Sequence, residues 1–236
     1  MARNPSRRID TSQLRITRGA LLLLCLEVGL SIVFNVSSPS AQALVVTWFV
    51  PTPSSVWHDW KVWTLLSGPL LQPSFFPLLF DALMLWLFVP TIERWWGTPR
   101  FLRFAAYTSV AGTVVGTLAG LLTGRDVPIL GLQAFVTASI VAFGLLYARQ
   151  PVRFFGALPM TGRQLMYGIL GFQLLFTLLN GRWEEGAGVA AAAVLAAMLI
   201  SDRWNPRLAW VRWRGRRARS RFDVLDGGKR KDKYVN

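Results

Sequence analysis

The spacing of long apolar segments constrains this chain more than any other feature. A helix that crosses about 30 Å of hydrocarbon needs about 20 mostly apolar residues, and six segments meet or approach that length. The sequence therefore predicts an all-α, polytopic membrane bundle of six transmembrane helices. The predicted spans are residues 19–37, 74–92, 101–123, 128–148, 164–180 and 185–201.

Charged side chains are concentrated at the two ends of the chain. They make up 16% of the 236 residues, against about 25% in soluble domains. Twelve of the 26 Lys and Arg residues lie in the last 34 positions and five in the first 18. The pattern predicts a basic N-terminus at 1–18, a six-span domain at 19–202 and a basic tail at 203–236. The tail is expected to attract anionic lipid headgroups, and no nucleic-acid partner is expected.

The basic residues also predict an orientation. In a six-span arrangement 23 Lys and Arg residues fall on one side, and only Lys61, Arg125 and Arg182 fall on the other. Positive charge marks the cytoplasmic side, so both termini are expected in the cytoplasm. The Arg and Ala content favours a bacterial source and hence the plasma (inner) membrane. A signal peptide that ends at "AQA", residues 41–43, is disfavoured because Glu27 interrupts a long apolar run.

Histidine and cysteine occur once each, as His58 and Cys25. One cysteine cannot form an intrachain disulfide, and a metal site built from nitrogen and sulfur ligands needs several such residues. We therefore expect no metal and no cofactor. Residues 38–73 carry four tryptophans, whose indole rings favour the membrane interface, so this segment is predicted to be a long interfacial loop.

Several stretches, in their order along the chain, resemble the rhomboid family of intramembrane proteins. "WKVWT" at 60–64, which includes Trp60 and Lys61, resembles the Trp-Arg stretch of the family's first loop. "ARQPVRFFGALPM" at 148–160 resembles the loop after its nucleophile helix. The resemblance covers about 45–202.

The second and last predicted spans carry the same resemblance. The second span leaves the membrane through Glu93, Arg94 and Gly97, which resembles the family's Glu-Arg-x-x-Gly exit. Small residues from Gly186 to Ala197 resemble its close-packed last helix. Such residues let two helix backbones approach closely.

The catalytic positions of the family are replaced in this chain. Active rhomboids begin their fourth helix with Gly-x-Ser-Gly, which matches Gly131 and the three residues after it, so Gln133 stands at the serine position. Glu185, or its neighbour Glu184, is nearest to the histidine of the dyad. Pro77 and Asp81 stand at the two positions that hold the oxyanion.

These replacements remove the chemistry of a serine protease. The Gln133 amide is a poor nucleophile with no proton that a base can remove. Pro77 has no donor for an oxyanion, and an ionised Asp81 would repel it. His58, the only histidine and so the only candidate for the usual catalytic base, falls in the first loop. We therefore predict no catalytic residues.

Asp81, Gln133 and Glu185 each lie within about two helical turns of the outer end of a predicted span. They are expected to converge on one polar cavity, because ionisable groups in a membrane face a bundle interior or water. The cavity either recognises transmembrane segments or is closed by hydrogen bonds among the three side chains. Glu185 also suits a helix N-terminus. Glu27, in the middle of the first span, is expected to pair with a polar group on a neighbouring helix or with local water, and a proton-relay role is the alternative.

The resemblance to catalytically dead rhomboid relatives implies a protein that binds transmembrane segments of client proteins. One alternative is an active intramembrane serine protease that uses non-standard groups. A third is a small transporter or channel, which ranks last because the polar side chains cluster in one leaflet. Membrane lipid and transmembrane clients are the expected partners, and the sequence leaves the oligomeric state open.

Overall fold

The computed structural model describes residues 16–154 and 158–200. The chain divides into two units, 1–200 and 201–236, and the described residues all belong to the first. Two predicted segments lie outside the described residues. One is the whole basic tail, 203–236, and the other is the basic N-terminus, 1–18, except for its last three residues.

Nine α-helices and one two-stranded hairpin make up the described part of the chain. The helices are α1 (Arg18–Val36), α2 (Pro39–Phe49), α3 (Pro53–Trp57), α4 (Thr64–Ser67), α5 (Phe75–Trp96), α6 (Thr98–Thr123), α7 (Gln133–Leu146), α8 (Gly162–Asn180) and α9 (Trp183–Ile200). A 3-10 turn, Gly68–Leu70, follows α4.

Four of the described helices are long and apolar enough to cross a membrane, namely α1, α5, α6 and α9. The mostly helical fold with several apolar helices agrees with the predicted membrane bundle. The other two predicted spans are weaker candidates. α7 has only 14 residues, and the apolar sequence of α8 is interrupted by Arg163, Gln164 and Gln173.

The segment predicted as an interfacial loop, 38–73, is largely helical. Ser38 caps the start of α2, because its side chain accepts a hydrogen bond from the Ala41 amide. Pro39 is the first residue of the helix. Thr52 and Ser55 form a reciprocal capping box at the start of α3. Serine or threonine before a proline is a strong helix start, so these local signals convert the loop into short helices.

The connection between α7 and α8 contains the two strands β1 (Pro151–Phe154) and β2 (Leu158–Thr161). The strands are antiparallel, with Pro151 opposite Thr161 and Phe154 opposite Leu158. Two prolines in this connection, Pro151 and Pro159, disfavour a helix. The pair of strands is an element that the predicted all-α fold did not include.

α7 occupies the centre of the bundle. It packs against α5, α6, α8 and α9, and every residue from 135 to 144 is buried. A helix enclosed by other helices does not have to match the bilayer thickness with its own apolar surface. Its short length is therefore compatible with a position inside a membrane domain.

The turn that enters α7 is tied to the segment before α5. The Ser54 amide and hydroxyl donate to the two oxygens of Asp126 at 2.9 and 2.6 Å. Burial would raise the pKa of the Asp126 carboxyl, but these bonds outweigh it and hold the pKa below its usual value. Further along, the Gly131 amide donates to the Leu71 carbonyl at 3.0 Å. These bonds set where α7 begins.

Candidate functional site

A cavity of about 350 Å³ lies between α5, α7 and α8. Its walls are mostly apolar, and a few polar groups lie inside. Among its lining residues are Phe76, Pro77 and Phe80 of α5, Gln133, Thr137 and Ile140 of α7, and Phe172, Gln173 and Phe176 of α8. We call this space the lateral cleft.

The lateral cleft opens between α5 and α8, which make at most weak contacts with each other. α8 is held by α7 and α9 instead, and only three of its residues are buried, all near its start. The phenylalanines at the opening are largely exposed: Phe76 by 80%, Phe172 by 65% and Phe176 by 51%.

A short polar ladder lies inside the cleft. The Thr137 hydroxyl lies 2.9 Å from the Gln133 carbonyl and 2.8 Å from Oε1 of Gln173. The Gln133 carboxamide itself has no hydrogen-bond partner in the described part of the chain and is only half-buried. Its donors and acceptor, together with the amide nitrogen of Gln173, are available to a group that enters the cleft.

Glu185 lies at the rim of the same cleft, in the first turn of α9. Its carboxylate forms an ion pair with Arg182 at 3.1 Å. The neighbouring Glu184 is buried and accepts a hydrogen bond from the Thr123 hydroxyl at 2.8 Å. Both acids therefore have local partners, and their place at a helix N-terminus agrees with the helix dipole.

The structure brings Gln133 and Glu185 to one cavity but places Asp81 elsewhere. Asp81 does not line the lateral cleft; it is buried, with 2% of its surface exposed. A Cβ atom added to Gly131 would lie 3.5 Å from Oδ2 of Asp81. Asp81 is therefore next to the turn that precedes α7. Pro77, one turn before it, lines the opening and is exposed.

Asp81 instead faces Glu27 of α1. Glu27 is fully buried, and the two carboxyl groups lie close enough to act on each other electrostatically, near the backbone of Leu132. Neither oxygen of Glu27, nor Oδ2 of Asp81, has a hydrogen bond of good geometry among the described residues. Two carboxylates at one buried position repel each other, so we expect the pair to share a proton.

Replacing Asp81 with asparagine should stabilise the protein by about 1–3 kcal/mol. The substitution removes one of two buried acids and supplies an amide donor beside the unpartnered oxygens of Glu27. Thermal unfolding of purified Asp81→Asn in detergent at neutral pH measures the gain. Asp59→Asn is the control, because Asp59 is an exposed acid paired with Lys61. A marked loss of stability in Asp81→Asn would contradict the shared-proton interpretation.

Two side-chain hydroxyls line the cleft, those of Ser74 and Thr137, and neither is hydrogen-bonded to a histidine or a carboxylate in the described part of the chain. His58 is exposed at the end of α3 and does not line the cleft. The Thr137 hydroxyl is directed to the Gln133 carbonyl and to Gln173. No group of three or more His, Cys, Asp or Glu side chains in the described residues could hold a metal ion.

Glu93 joins three helices at the other end of α5. It is 3% exposed and accepts hydrogen bonds from the Thr17 hydroxyl, the Gly19 and Ala20 amides, both at 2.9 Å, and the Thr98 hydroxyl at 2.7 Å. Gly19 and Ala20 open α1, so Glu93 caps that helix from a distance. The motif residue Arg94, which follows Glu93, is exposed.

Two of the motif glycines have backbone conformations that side chains disfavour. Gly97 has φ +76° and connects α5 to α6, and Gly131 has φ +81° before α7. A side chain at Gly131 would also collide with the Gln72 amide. Their glycine identity therefore has a backbone reason.

Trp60 and Lys61 lie on the segment between α1 and α5. Trp60 is 75% exposed with φ +57°. Lys61 pairs with Asp59 at 3.1 Å and lies over the Trp48 ring, 5.5 Å from its centroid. Neither residue lines the lateral cleft.

Sequence reasoning did not single out Gln173, Thr17 or Thr98. Gln173 offered the same signal as Gln133, a carboxamide within a predicted span. The two threonines offered none, because hydroxyls are common at helix ends and their shared partner is far away in the sequence.

The fold and the site define a multi-pass helical membrane protein with a lateral opening between two helices. The family model described as "Eukaryotic integral membrane protein (DUF1751)" matches residues 18–201. The chain belongs to this family of integral membrane proteins.

A second comparison concerns rhomboids. The chain is 29% identical over 155 residues to a protein named "Rhomboid protease GlpG homolog" from Cronobacter sakazakii. The matched region covers 62% of this chain and 51% of that protein. The chain thus matches about half the length of this relative. The similarity supports the resemblance drawn from the sequence, and a rhomboid relationship remains a prediction.

Proposed function

We propose that this protein is a catalytically inactive, rhomboid-like, six-span membrane protein that binds transmembrane segments of client proteins in the lateral cleft. The observation that carries the proposal is the opening between α5 and α8, with the Gln133 carboxamide and the Gln173 amide nitrogen unpaired inside it. The proposal includes cytoplasmic termini and, for a bacterial source, the inner membrane.

The six-span topology counts α7 and α8 together with the four long apolar helices. α7 is enclosed by its neighbours, so its 14 residues need not match the bilayer thickness. α8 has 19 residues, and most of its surface is exposed and apolar, as lipid contact requires. An even number of spans also keeps both basic ends on one side of the membrane.

The loss of proteolysis follows from the groups at the family's catalytic positions. Gln133 cannot act as an alkoxide nucleophile, and Glu185 is paired with Arg182. Asp81, at one of the oxyanion positions, is buried against Glu27 and does not line the cleft. A substrate carbonyl in the cleft would thus find neither the nucleophile nor the usual donors.

The chemistry of the cleft favours a client helix that carries a polar side chain. A polar group in hydrocarbon is costly, and a hydrogen bond between membrane helices contributes about 0.6–2 kcal/mol. Gln133 and Gln173 offer such bonds inside walls of phenylalanine. A helix that enters between α5 and α8 would satisfy its polar residue there and keep its apolar surface toward lipid.

Photo-crosslinking in proteoliposomes tests this binding with defined peptides. A photoreactive amino acid replaces Phe176, and two single-span peptides are compared, one all-leucine and one with a central asparagine. We expect about three- to thirtyfold more crosslinking of the asparagine peptide, from the strength of one such hydrogen bond. The preference should disappear in Gln133→Leu/Gln173→Leu.

The matched control places the same photoreactive group at Leu122, which is 89% exposed near the end of α6 and does not line the cleft. It should crosslink both peptides equally. Equal crosslinking of the two peptides from position 176 would contradict client binding. Cleavage of a peptide, or labelling by a fluorophosphonate that is lost in Gln133→Ala, would establish the protease alternative instead.

A further inference from the structure

A second cavity, of about 310 Å³, lies where α5 ends and α6 begins. The described residues around it are Trp96 of α5, Arg100, Arg103, Phe104 and Tyr107 of α6, and Leu199 of α9. The lateral cleft involves the first turns of α5, whereas this cavity lies at its last turn. The two sites are therefore separate.

The mouth of this cavity is positively charged. Arg100 and Arg103 are exposed and lie three residues apart, so they are neighbours on one face of α6. Nε of Arg103 donates to the Pro99 carbonyl at 3.3 Å, which aligns that side chain along the helix. In the described residues no carboxylate forms an ion pair with either arginine, and nearby Glu93 is already engaged by Thr17 and Thr98.

The walls of the cavity are aromatic and aliphatic. Trp96 packs edge-to-face against Phe104, with ring centroids 5.0 Å apart. Tyr107 and Leu199 continue the wall and are 58% and 48% exposed. Tyr107 is about 10 Å along the helix axis from Arg100, at 1.5 Å per residue. The site thus changes from cationic to apolar over the distance that separates a lipid phosphate from the upper part of its acyl chains.

We propose that this cavity binds an anionic phospholipid of the adjacent leaflet. Arg100 and Arg103 contact the phosphate, for which the planar guanidinium is well suited. Trp96 and Tyr107 lie at the interface, where amphipathic rings are favoured, and an acyl chain runs along Tyr107 and Leu199. A free phosphate ion would use the arginines and leave the apolar wall uncovered, so the lipid is the occupant that the whole surface fits.

The test uses the full-length protein in nanodiscs that contain phosphatidylcholine with phosphatidylglycerol. A phosphatidylglycerol with a diazirine near its headgroup is activated, and the crosslinked peptides are mapped by mass spectrometry. We expect labelling within 96–107 and near Leu199. Arg100→Gln/Arg103→Gln should weaken this labelling about tenfold or more, from the contribution of two basic side chains at an anionic surface.

Arg149→Gln/Arg163→Gln is the matched control. It removes the same charge from two exposed arginines outside the cavity, which flank the connection between α7 and α8. This variant should keep the wild-type labelling, and millimolar inorganic phosphate should not compete. Equal losses in both variants would show attraction by general surface charge and overturn the proposal. So would equal labelling by a phosphatidylcholine probe, or displacement by phosphate alone.

Discussion

Replacing Glu93 with alanine is expected to destabilise the protein by about 2–6 kcal/mol, because two buried amides lose their acceptor at about 1–3 kcal/mol each. The carboxylate accepts hydrogen bonds from four donors, two of which are backbone amides at the start of α1. Each donor left buried without a partner costs about 1–3 kcal/mol. The amides of Gly19 and Ala20 have no intrahelical acceptor, so the start of α1 should separate from α5.

Thermal unfolding in detergent and hydrogen exchange of α1 measure this effect. Glu93→Gln keeps one acceptor oxygen but turns an amide toward the donors, so its loss of stability should be intermediate. Glu185→Ala is the control because that acid is half-buried and has a single ion-pair partner, Arg182. An alanine variant of Glu93 with wild-type stability and unchanged exchange in α1 would refute the long-range cap.

Gly188→Ala is expected to destabilise the bundle by about 2–3 kcal/mol or to prevent its folding. α6 and α9 share the most extensive contact of any pair of described helices. A Cβ atom on Gly188 would collide with the Gly112 carbonyl oxygen, and one on Gly112 would collide with Ala134 of α7. Backbone atoms cannot turn away as a flexible side chain can, so α9 would have to move away from α6.

Gly168→Ala is the matched control for this prediction. Gly168 also lies inside a helix, but a Cβ atom there would meet nothing within 4 Å. Alanine favours a helix over glycine by about 1 kcal/mol, so this variant should be neutral or slightly more stable. Melting temperatures of the two variants in the same detergent give the comparison. Equal effects would contradict a specific contact between α6 and α9.

Local sequence signals predicted where the long apolar helices lie. The first span was predicted at 19–37 and is helical over Arg18–Val36, and the third was predicted at 101–123 and is helical over Thr98–Thr123. α5 extends to Trp96, beyond the predicted end at residue 92. A charged residue is expected to end an apolar span, so the predicted span ended before Glu93. In the structure, donors from α1 and α6 bind the Glu93 carboxylate, and the helix continues past it.

The composition of the lateral cleft was predicted only in part. Gln133 and Glu185 line it, because each lies near the end of a helix beside the opening. Asp81 lies against Glu27 instead. The sequence predicted Asp81 in the polar cavity and did not predict that these two acids meet. Gln173 completes the polar ladder and was not predicted.

The sequence by itself determined the membrane class and the positions of the long apolar helices. These properties depend on residue type and on the length of apolar runs. Only the tertiary structure decided which polar groups meet and where the bundle opens. In a membrane the lipid-facing and buried sides of a helix are both apolar. Hydropathy therefore does not specify the rotation of a helix about its axis, and that rotation is set by packing contacts such as those of Glu93 and Gly188.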